Sequence, residues 1–238
     1  AYAMNQYSHF AHAPHQGHLT GMIRVFGYLK QFTKGKIMID PNYPNYEQFK
    51  MLNHDNWKEY YPDIKEMIPD SKDTPVPCGP AIRITVYHDA NHAHDMLTRR
   101  SVSGILLLLN NMPIKWITKR QKTVEMSTYG SELVAMRIAL EAILEIRYKL
   151  RSMGIKIAPT STILCDNMSV IYNTQFPTSS LKKKHNAVAF HKVREAIAAG
   201  IIKTAHIPSN ANLSDILTKP KGPADYYNHL QTLYYGRE

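Results

Sequence analysis

Cysteine is scarce in this sequence: only Cys78 and Cys165 occur among 238 residues. Two cysteines cannot form a disulfide framework, and neither has the spacing of a metal ligand, so we expect a reducing compartment. Long apolar runs are also missing. The longest, GILLLLNNM, has the length of a strand and falls short of the ~18–20 residues that a membrane-spanning helix needs. There is no signal-peptide pattern, and the chain begins at Ala1 without a methionine, so we expect a piece of a longer protein.

Acidic side chains are outnumbered by basic ones, 19 to 29, which gives a formal net charge of +10. A surplus of this size favours a polyanionic partner, usually a nucleic acid. A basic surface that only keeps the protein soluble is the alternative. The charge is concentrated in TKRQK (118–122), LKKKH (181–185) and Arg99–Arg100, and this concentration favours a binding face. We expect no membrane partner and no small-molecule cofactor.

The first eighty residues differ in character from the rest. Apolar residues at three- and four-residue steps predict a helical segment up to Phe32, with Pro14 near its start and Gly35 at its end. Residues 40–80 contain seven prolines, which predicts a linker or insertion with one short helix around 47–59. The expected division is a helical tail at 1–39, a linker or insertion at 40–80, the main domain at 81–223 and a C-terminal tail at 224–238.

The main domain shows an α/β pattern. Three strands come first, AIRITVYHD, SVSGILLLLN and PIKWITKR, with Asn110–Asn111 as a tight turn between the last two. The strands STILCD and IIKTAHI follow later. The predicted fold is therefore a five-stranded mixed sheet, its first three strands antiparallel, flanked by helices and preceded by a helical extension.

Four helices are expected among these strands. The longest covers about 130–153, with Ser127 or Thr128 as its cap and Gly154 as its end. A second helix begins at Asn167, a third covers about 185–199, and a fourth begins near residue 211. The predicted order is βββαβαβα.

Four acidic residues fall at the ends of these elements. Asp89 and Asp166 end strands, while Glu132 and Asp215 lie in the first turns of helices. Strand ends and the starts of the following helices meet at one edge of an α/β sheet. Four carboxylates there would repel one another unless cations neutralised them, and two hard divalent ions are the natural solution. Taken singly, each acid could instead cap a turn or stabilise a helix dipole.

Several segments resemble the ribonuclease H domain of copia-type (pseudoviral) LTR-retrotransposon reverse transcriptases. They are VYHDANHA, RRSVSGILLLL, PIKWITKRQKTVEMSTYGSELVAM, ILCDNMSVI, KKHNAVAFHKVREAIAAG and NLSDILTKP, within about residues 82–220. The N-terminal AYAMNQYSHFAHAPHQGHLTGMIRVFGYLK also resembles the end of the polymerase region that precedes that domain. The Tyr-x-Asp-Asp motif of the polymerase itself does not occur.

The resemblance implies a ribonuclease H-like fold and roles for the four acids. Asp89 would bridge two Mg²⁺ ions, and Mn²⁺ should substitute for them. Glu132 would hold one ion and sense a ribose hydroxyl of the substrate, and Asp166 would bind that same ion. Asp215 would bind the ion that activates water. Asn91 departs from the family pattern, in which a second aspartate is frequent.

Weaker candidates surround these acids. His206 could assist product release, although an ordinary histidine at a strand end is the alternative. His88, His92 and His94 are interpreted as loop histidines rather than zinc ligands. Substrate contacts are predicted for Arg99, Arg100, Ser101, Ser103, Lys119, Arg120, Asn167, Lys183, Lys184 and His185.

The resemblance implies an endonuclease that cuts the RNA strand of RNA–DNA hybrids during reverse transcription and leaves 5′-phosphate products. Its expected partners are the hybrid and the polymerase portion of the same polyprotein. Its expected location is intracellular, in a cytoplasmic virus-like particle or the nucleus. Two alternatives stay open: a non-catalytic nucleic-acid-binding or tethering module on the same fold, and an integrase-like strand-transfer nuclease.

Overall fold

The computed structural model describes residues 1–51, 56–70, 72–181 and 184–235. None of the helices in these ranges is both long enough and apolar enough to cross a membrane. The helices are α1 (Tyr2–Ser8), α2 (Gln16–Gln31), α3 (Trp57–Tyr60), α4 (Thr128–Ser152), α5 (Met168–Gln175), α6 (Ala187–Ala198) and α7 (Pro223–Leu233). The strands are β1 (Lys36–Ile37), β2 (Lys50–Met51), β3 (Cys78–Ile82), β4 (Ile84–Asn91), β5 (Val102–Leu109), β6 (Met112–Arg120), β7 (Ile155–Ile157), β8 (Ser161–Cys165), β9 (Ile202–His206) and β10 (Tyr234–Tyr235). Short 3₁₀ helices cover 184–186, 209–211 and 213–217.

Within the described ranges, the central sheet has six strands in the order β2-β9-β8-β4-β5-β6. Strands β4, β5 and β6 are antiparallel, β8 runs parallel to β4, and β9 runs parallel to β8. The mixed α/β sheet is confirmed, but the predicted number of five strands is too low by one. The additional strand, β2, comes from the segment predicted to be a linker and pairs antiparallel with β9. Two residues carry too little periodicity to show as a strand in sequence.

The sheet is buried on both faces, which explains the continuous apolar run of β5. Ile105 and Leu107 belong to the main core beneath the long helix α4. Leu106 and Leu108 belong to a second cluster with Leu213, Leu217 and Leu233. Because successive side chains of a strand point to opposite faces, a strand between two cores needs apolar residues at every position. The 3₁₀ helix 213–217 and α7 contribute the residues that cover this second face.

Helix α4 has the two boundary signals that its sequence predicted. The Ser127 hydroxyl accepts a hydrogen bond from the Gly130 N–H, as an N-cap does. Gly154 follows the helix with φ at +71°, a conformation that glycine adopts without steric cost. Leu133, Met136 and Leu140 lie on its buried face. This amphipathic face fixes the helix on the sheet and places its N-terminal turn at one edge.

The last predicted helix is wrong in both position and type. Residues 213–217 form a 3₁₀ helix, and the α-helix lies at 223–233, almost entirely within the tail predicted at 224–238. Pro220 explains the break, because proline disfavours helical backbone at the residue before it and lacks an N–H. Of the short helix predicted around 47–59, residues 52–55 lie outside the described residues; among the described ones, Trp57–Tyr60 is helical and Lys50–Met51 is a strand.

Residues 40–80 pack against the main domain through buried contacts. Trp57 is buried in the main core, and β3 pairs parallel with β7.

Glu66 accepts hydrogen bonds from Nε and Nη2 of the buried Arg147 at 2.7 and 2.8 Å. It also accepts from both terminal nitrogens of Arg151, at 2.6 and 2.7 Å. Arg147 further donates to the carbonyls of Ala158 and Pro159. The Glu66 carboxylate therefore bonds this segment to two arginines of α4.

We predict that Glu66→Gln lowers the free energy of unfolding by about 3 kcal/mol, because it leaves two arginines without their counterion. Burial alone would raise the pKa of Glu66, but its hydrogen bonds to Arg147 and Arg151 outweigh this and lower the pKa to about 2, from an ordinary 4.5. This stability is present above pH 4.5 and is lost as the pH falls toward 2. Urea unfolding across this pH range measures it. The control is Glu47→Gln at an exposed position of the same segment; equal losses in both variants would contradict the role of Glu66.

Candidate metal centre

The four predicted acids converge at one edge of the sheet. Asp89 lies near the end of β4, and Asp166 directly follows β8, the strand that runs parallel beside it. Asp215 lies in the 3₁₀ helix 213–217, and carboxylate oxygens of these three aspartates all lie within 4.8 Å of one another. Glu132 enters from the first turns of α4, where its Oε1 accepts a hydrogen bond from the Ala90 N–H at 3.1 Å. The predicted juxtaposition is therefore present.

Gly104 allows the turn that carries Asp215 to approach the sheet. It pairs with Asp89 across β4 and β5. A Cβ at this position would lie 2.6 Å from Cγ2 of Thr218 and 2.9 Å from Cβ of Leu217. Real Cβ contacts are not this short, so any larger residue would push the turn, and Asp215 with it, away from Asp89.

Two buried polar side chains connect this turn to β4. Asn212 donates from Nδ2 to the His88 carbonyl at 2.9 Å, and its Oδ1 accepts from the Ser214 N–H and hydroxyl. The Thr218 hydroxyl donates to Oδ2 of Asp89. The residues before and after the 3₁₀ helix are thus both bonded to the strand that carries Asp89, and this fixes Asp215 between them.

The electrostatics of the centre are unfavourable without cations. Asp89, Glu132 and Asp215 are buried, and Asp166 is half-buried. Burial, followed by the charge of Glu132, raises the pKa of Asp89 well above its ordinary 3.8. Burial, followed by the charge of Asp166, raises the pKa of Glu132 to about 8. These shifts show that the fold concentrates negative charge here at a cost in stability.

Two lysines that the sequence analysis overlooked contact the same carboxylates. Nζ of Lys219 lies 2.9 Å from Oδ1 of Asp215 and 3.8 Å from Oδ2 of Asp89. Nζ of Lys221 lies 2.5 Å from Oδ2 of Asp215. The spacing of Asp215 and Lys219, four residues apart, was a signal that could have indicated the first pair. Nothing in the local sequence indicates the contact of Lys219 with Asp89.

His88 lies behind the acids and differs from the prediction. It is fully buried on β4, not in a loop, and burial lowers its pKa to about 4. Its Nδ1 lies 3.4 Å from Oε2 of Glu132. His92 and His94 do follow the strand, and the two ring nitrogens of His94 lie within 3.0 Å of the Tyr2 hydroxyl and the Asn91 amide. A neutral imidazole therefore packs against Glu132.

The donor set suits a hard divalent cation. Three aspartate oxygens are close enough to share one ion, and carboxylate oxygens are the ligands that Mg²⁺ and Mn²⁺ favour. Among the described residues, Oε2 of Glu132 has no hydrogen-bond partner although it is buried. A buried carboxylate oxygen without a donor is costly and would be satisfied by a cation. The residues present therefore fit a metal centre.

Some of the weaker candidates are engaged inside the protein. Ser101 and Ser103 are fully buried, and their hydroxyls accept hydrogen bonds from the Ala93 N–H and the Gln121 amide. The Asn167 side chain caps α5, and Arg120 pairs with Asp95 at 2.7 Å. Because their hydroxyls are buried, we do not propose the two serines as substrate contacts.

The remaining candidates differ in exposure and in partners. Arg99, Lys119, Lys184 and His185 are exposed, and Arg100 is half-buried. Nε2 of His185 lies 3.2 Å from the buried Glu125. His206 ends β9, where it pairs with Cys165, the residue before Asp166. Lys183 lies outside the described residues.

Comparison with known proteins supports the sequence resemblance. The chain is 25% identical over 228 residues to the retrovirus-related Pol polyprotein from transposon RE1 of Arabidopsis thaliana. It is 28% identical over 150 residues to that from transposon RE2 of the same plant. The matches cover 96% and 63% of this chain but only 13% and 10% of the two polyproteins. No protein-family model matches the sequence. Among solved structures, the crystal structure of LC11-RNase H1 in complex with an RNA/DNA hybrid has a similar backbone, with a TM-score of 0.46 and 16% sequence identity. The match covers 57% of this chain and 94% of that chain.

The sheet order and the position of the acids agree with what the sequence resemblance implies. Three antiparallel strands are continued by two parallel ones in a mixed α/β sheet, with carboxylates at the shared edge. The similarity to retrotransposon Pol polyproteins that the motifs predicted is confirmed, and the match to transposon RE1 extends over 96% of this chain.

We predict that Asp89→Asn stabilises the metal-free protein at pH 8 by at least about 1 kcal/mol, because one pKa unit corresponds to 1.36 kcal/mol. The folded-state pKa values of Asp89 and Glu132 are raised, so stability is greatest below their ordinary values of 3.8 and 4.5 and falls as the pH rises toward 8. The asparagine of the variant cannot ionise, so Asp89→Asn removes the part of this stability loss that comes from ionisation of Asp89. Urea unfolding in chelator at pH 5 and pH 8 measures the effect, with Asp63→Asn at an exposed position as the control. A destabilised Asp89→Asn variant at pH 8 would contradict the repulsion.

Proposed function

We propose that this protein is a metal-dependent ribonuclease H, which hydrolyses the RNA strand of an RNA–DNA hybrid. The observation that carries the proposal is the convergence of Asp89, Asp166 and Asp215, with oxygens within 4.8 Å, beside Glu132 at one edge of a ribonuclease H-like sheet. The similarity to retrotransposon Pol polyproteins supports hybrid as the substrate, since reverse transcription forms it. The proposed setting is the polyprotein of a retrotransposon, inside the cell, next to its polymerase portion.

The four acids would hold two Mg²⁺ ions, with Asp89 contributing to both. Bound there, the ions would supply a Lewis acid for the scissile phosphate and a hydroxide at neutral pH. The protein contributes the positions of the ligands. The Thr218 hydroxyl fixes Oδ2 of Asp89, and the Ala90 N–H fixes Oε1 of Glu132. These bonds hold the carboxylates in place before substrate arrives, which lowers the reorganisation that the reaction requires.

A basic cleft would contact the phosphates of the hybrid. Lys119, Lys122, Arg137 and Lys192 line a cleft formed by β6, α4 and α6. Glu141 pairs with Arg137 and Lys192 at 2.6 and 2.7 Å, which partly neutralises them. The exposed Lys119 in this cleft and the exposed Arg99 outside it are the residues that we propose for phosphate contacts. Selectivity for a hybrid would come from contacts to 2′-hydroxyls across its minor groove.

The direct test is cleavage by the full 238-residue chain of three labelled duplexes: RNA–DNA hybrid, double-stranded DNA and double-stranded RNA. We expect cleavage of the RNA strand of the hybrid in Mg²⁺ or Mn²⁺ and none in chelator. Binding of the hybrid without cleavage would identify a tethering module, and strand transfer into DNA would identify an integrase-like enzyme. Either result would overturn the proposal.

We predict that Asp166→Asn lowers the cleavage rate by at least about 100-fold, because it removes a charged ligand while preserving shape. Hybrid binding should survive or tighten, since the substrate is itself an anion. Cleavage and binding are measured side by side over a Mg²⁺ titration, with Asp63→Asn as the matched control. Near-normal cleavage by Asp166→Asn at low Mg²⁺ would show that Asp166 is only a strand-end residue.

Hybrid affinity is also predicted to fall steeply with salt. With about four phosphate contacts, the slope of log affinity against log salt should be about −3 to −4, at ~0.9 per contact. Lys119→Ala should reduce its magnitude by about 0.9. The control is Lys156→Ala, because Lys156 lies beyond the far end of α4, roughly 30 Å along the helix from Glu132. A slope near zero would mean that the basic clusters face only solvent.

A further inference from the structure

Lys219 and Lys221 together engage both oxygens of Asp215. Lys221 Nζ lies 2.5 Å from Oδ2, and Lys219 Nζ lies 2.9 Å from Oδ1. The Asp215 side chain is 2% exposed, and that of Lys221 is 17% exposed. The pair with Lys221 is largely buried, so salt screens it much less than an exposed pair, whereas the Lys219 side chain is 38% exposed. Both ammonium groups therefore oppose the cost of burying the Asp215 carboxylate in the metal-free protein.

The position of these ammonium groups overlaps with that of a metal ion on the same carboxylate. The ion assigned to Asp215 and Asp89 would need one oxygen of each, and oxygens of these two residues lie within 4.8 Å of each other. Lys219 already lies 2.9 Å from the first residue and 3.8 Å from the second. A divalent ion a few ångströms from an ammonium group is repelled by it, so both cannot occupy the same oxygen atoms.

Resting on the proposed function, we propose that Lys219 and Lys221 are internal counterions that compete with the divalent metal for Asp215. In the metal-free protein they neutralise part of the acidic cluster and stabilise the fold. Metal binding displaces them from the carboxylate oxygens. The affinity for the ion that Asp215 binds is therefore set by the two lysines as well as by the acids.

The backbone is arranged so that the lysines can be displaced without moving Asp215. The Thr218 hydroxyl, bonded to Asp89 and to the Asp215 carbonyl, fixes the chain just before Lys219. Asn212 fixes it on the other side. Each lysine has a long, flexible side chain, and that of Lys219 is 38% exposed. Rotation of side-chain bonds alone can thus transfer the ammonium groups from Asp215 to solvent or to a phosphate of the substrate.

The test is Mn²⁺ binding to the full chain without nucleic acid, followed by the EPR signal of free Mn²⁺. The variants are the double substitution Lys219→Met with Lys221→Met, the charge-preserving pair Lys219→Arg with Lys221→Arg, and the control Lys156→Met. Competition predicts that the methionine pair binds Mn²⁺ roughly fivefold more tightly or better, a typical size for coupling between sites. The arginine pair should bind no more tightly than wild type, and Lys156→Met should not differ from it.

The melting temperature, measured with and without Mn²⁺, distinguishes competition for Asp215 from a general loss of fold stability. In chelator, the methionine pair should melt at a lower temperature than wild type, whereas saturating Mn²⁺ should narrow this difference. If the methionine pair does not fold, the single variants Lys219→Gln and Lys221→Gln should each show a smaller rise in Mn²⁺ affinity. Unchanged or weaker Mn²⁺ binding by the folded variants would overturn the inference.

Hybrid cleavage by the wild-type chain, measured in parallel, distinguishes the two proposals. Cleavage with no gain in Mn²⁺ affinity in the variants would overturn the competition and leave the nuclease proposal intact. A gain in affinity without cleavage by wild type would support the competition and overturn the nuclease. Absence of Mn²⁺ binding in every variant would overturn both.

Discussion

Repulsion among buried carboxylates is the constraint on which this structure depends. Asp89, Glu132 and Asp215 are buried at one edge of the sheet, and the half-buried Asp166 lies beside them. The raised pKa values of Asp89 and Glu132 show that the fold resists their ionisation. Such a cluster persists only when surrounding contacts hold it in place and cations offset its charge. Lys219 and Lys221 partly offset it, and the oxygen donors left over suit divalent ions.

The rest of the domain supplies the contacts that hold the cluster together. The parallel pairing of β4 and β8 places Asp89 and Asp166 side by side. Gly104 leaves room for the 213–217 turn, and Asn212 and Thr218 bond that turn to β4. At the opposite end of α4, Glu66 bonds to Arg147 and Arg151 and fastens the preceding segment to the same helix. Helix α4 is therefore fixed at both ends, which keeps Glu132 in position.

Much of the site could be predicted from the sequence, because its elements have strong local signals. The apolar runs before Asp89 and Asp166 define strands that end on a carboxylate, and the cap at Ser127 places Glu132 in the first turns of a helix. Weaker signals failed. The strand β2 is two residues long, and the helix predicted near residue 211 is a 3₁₀ turn because Pro220 and the contacts of Asn212 and Thr218 compete with helical backbone. His88 was assigned to a loop because its burial depends on α4 packing over β4.

The sequence by itself determined the order of the elements, the α/β class and the four acidic positions, since each depends on a local pattern of polarity or capping. It also determined the basic surplus that favours a polyanionic partner. Only the tertiary structure decided which groups share space with those acids. The contacts of Lys219 with Asp89, of Thr218 with Asp89 and of Glu66 with Arg147 join residues 130, 129 and 81 positions apart in the chain. Contacts of that range depend on how strands and helices pack, and no local sequence pattern specifies them.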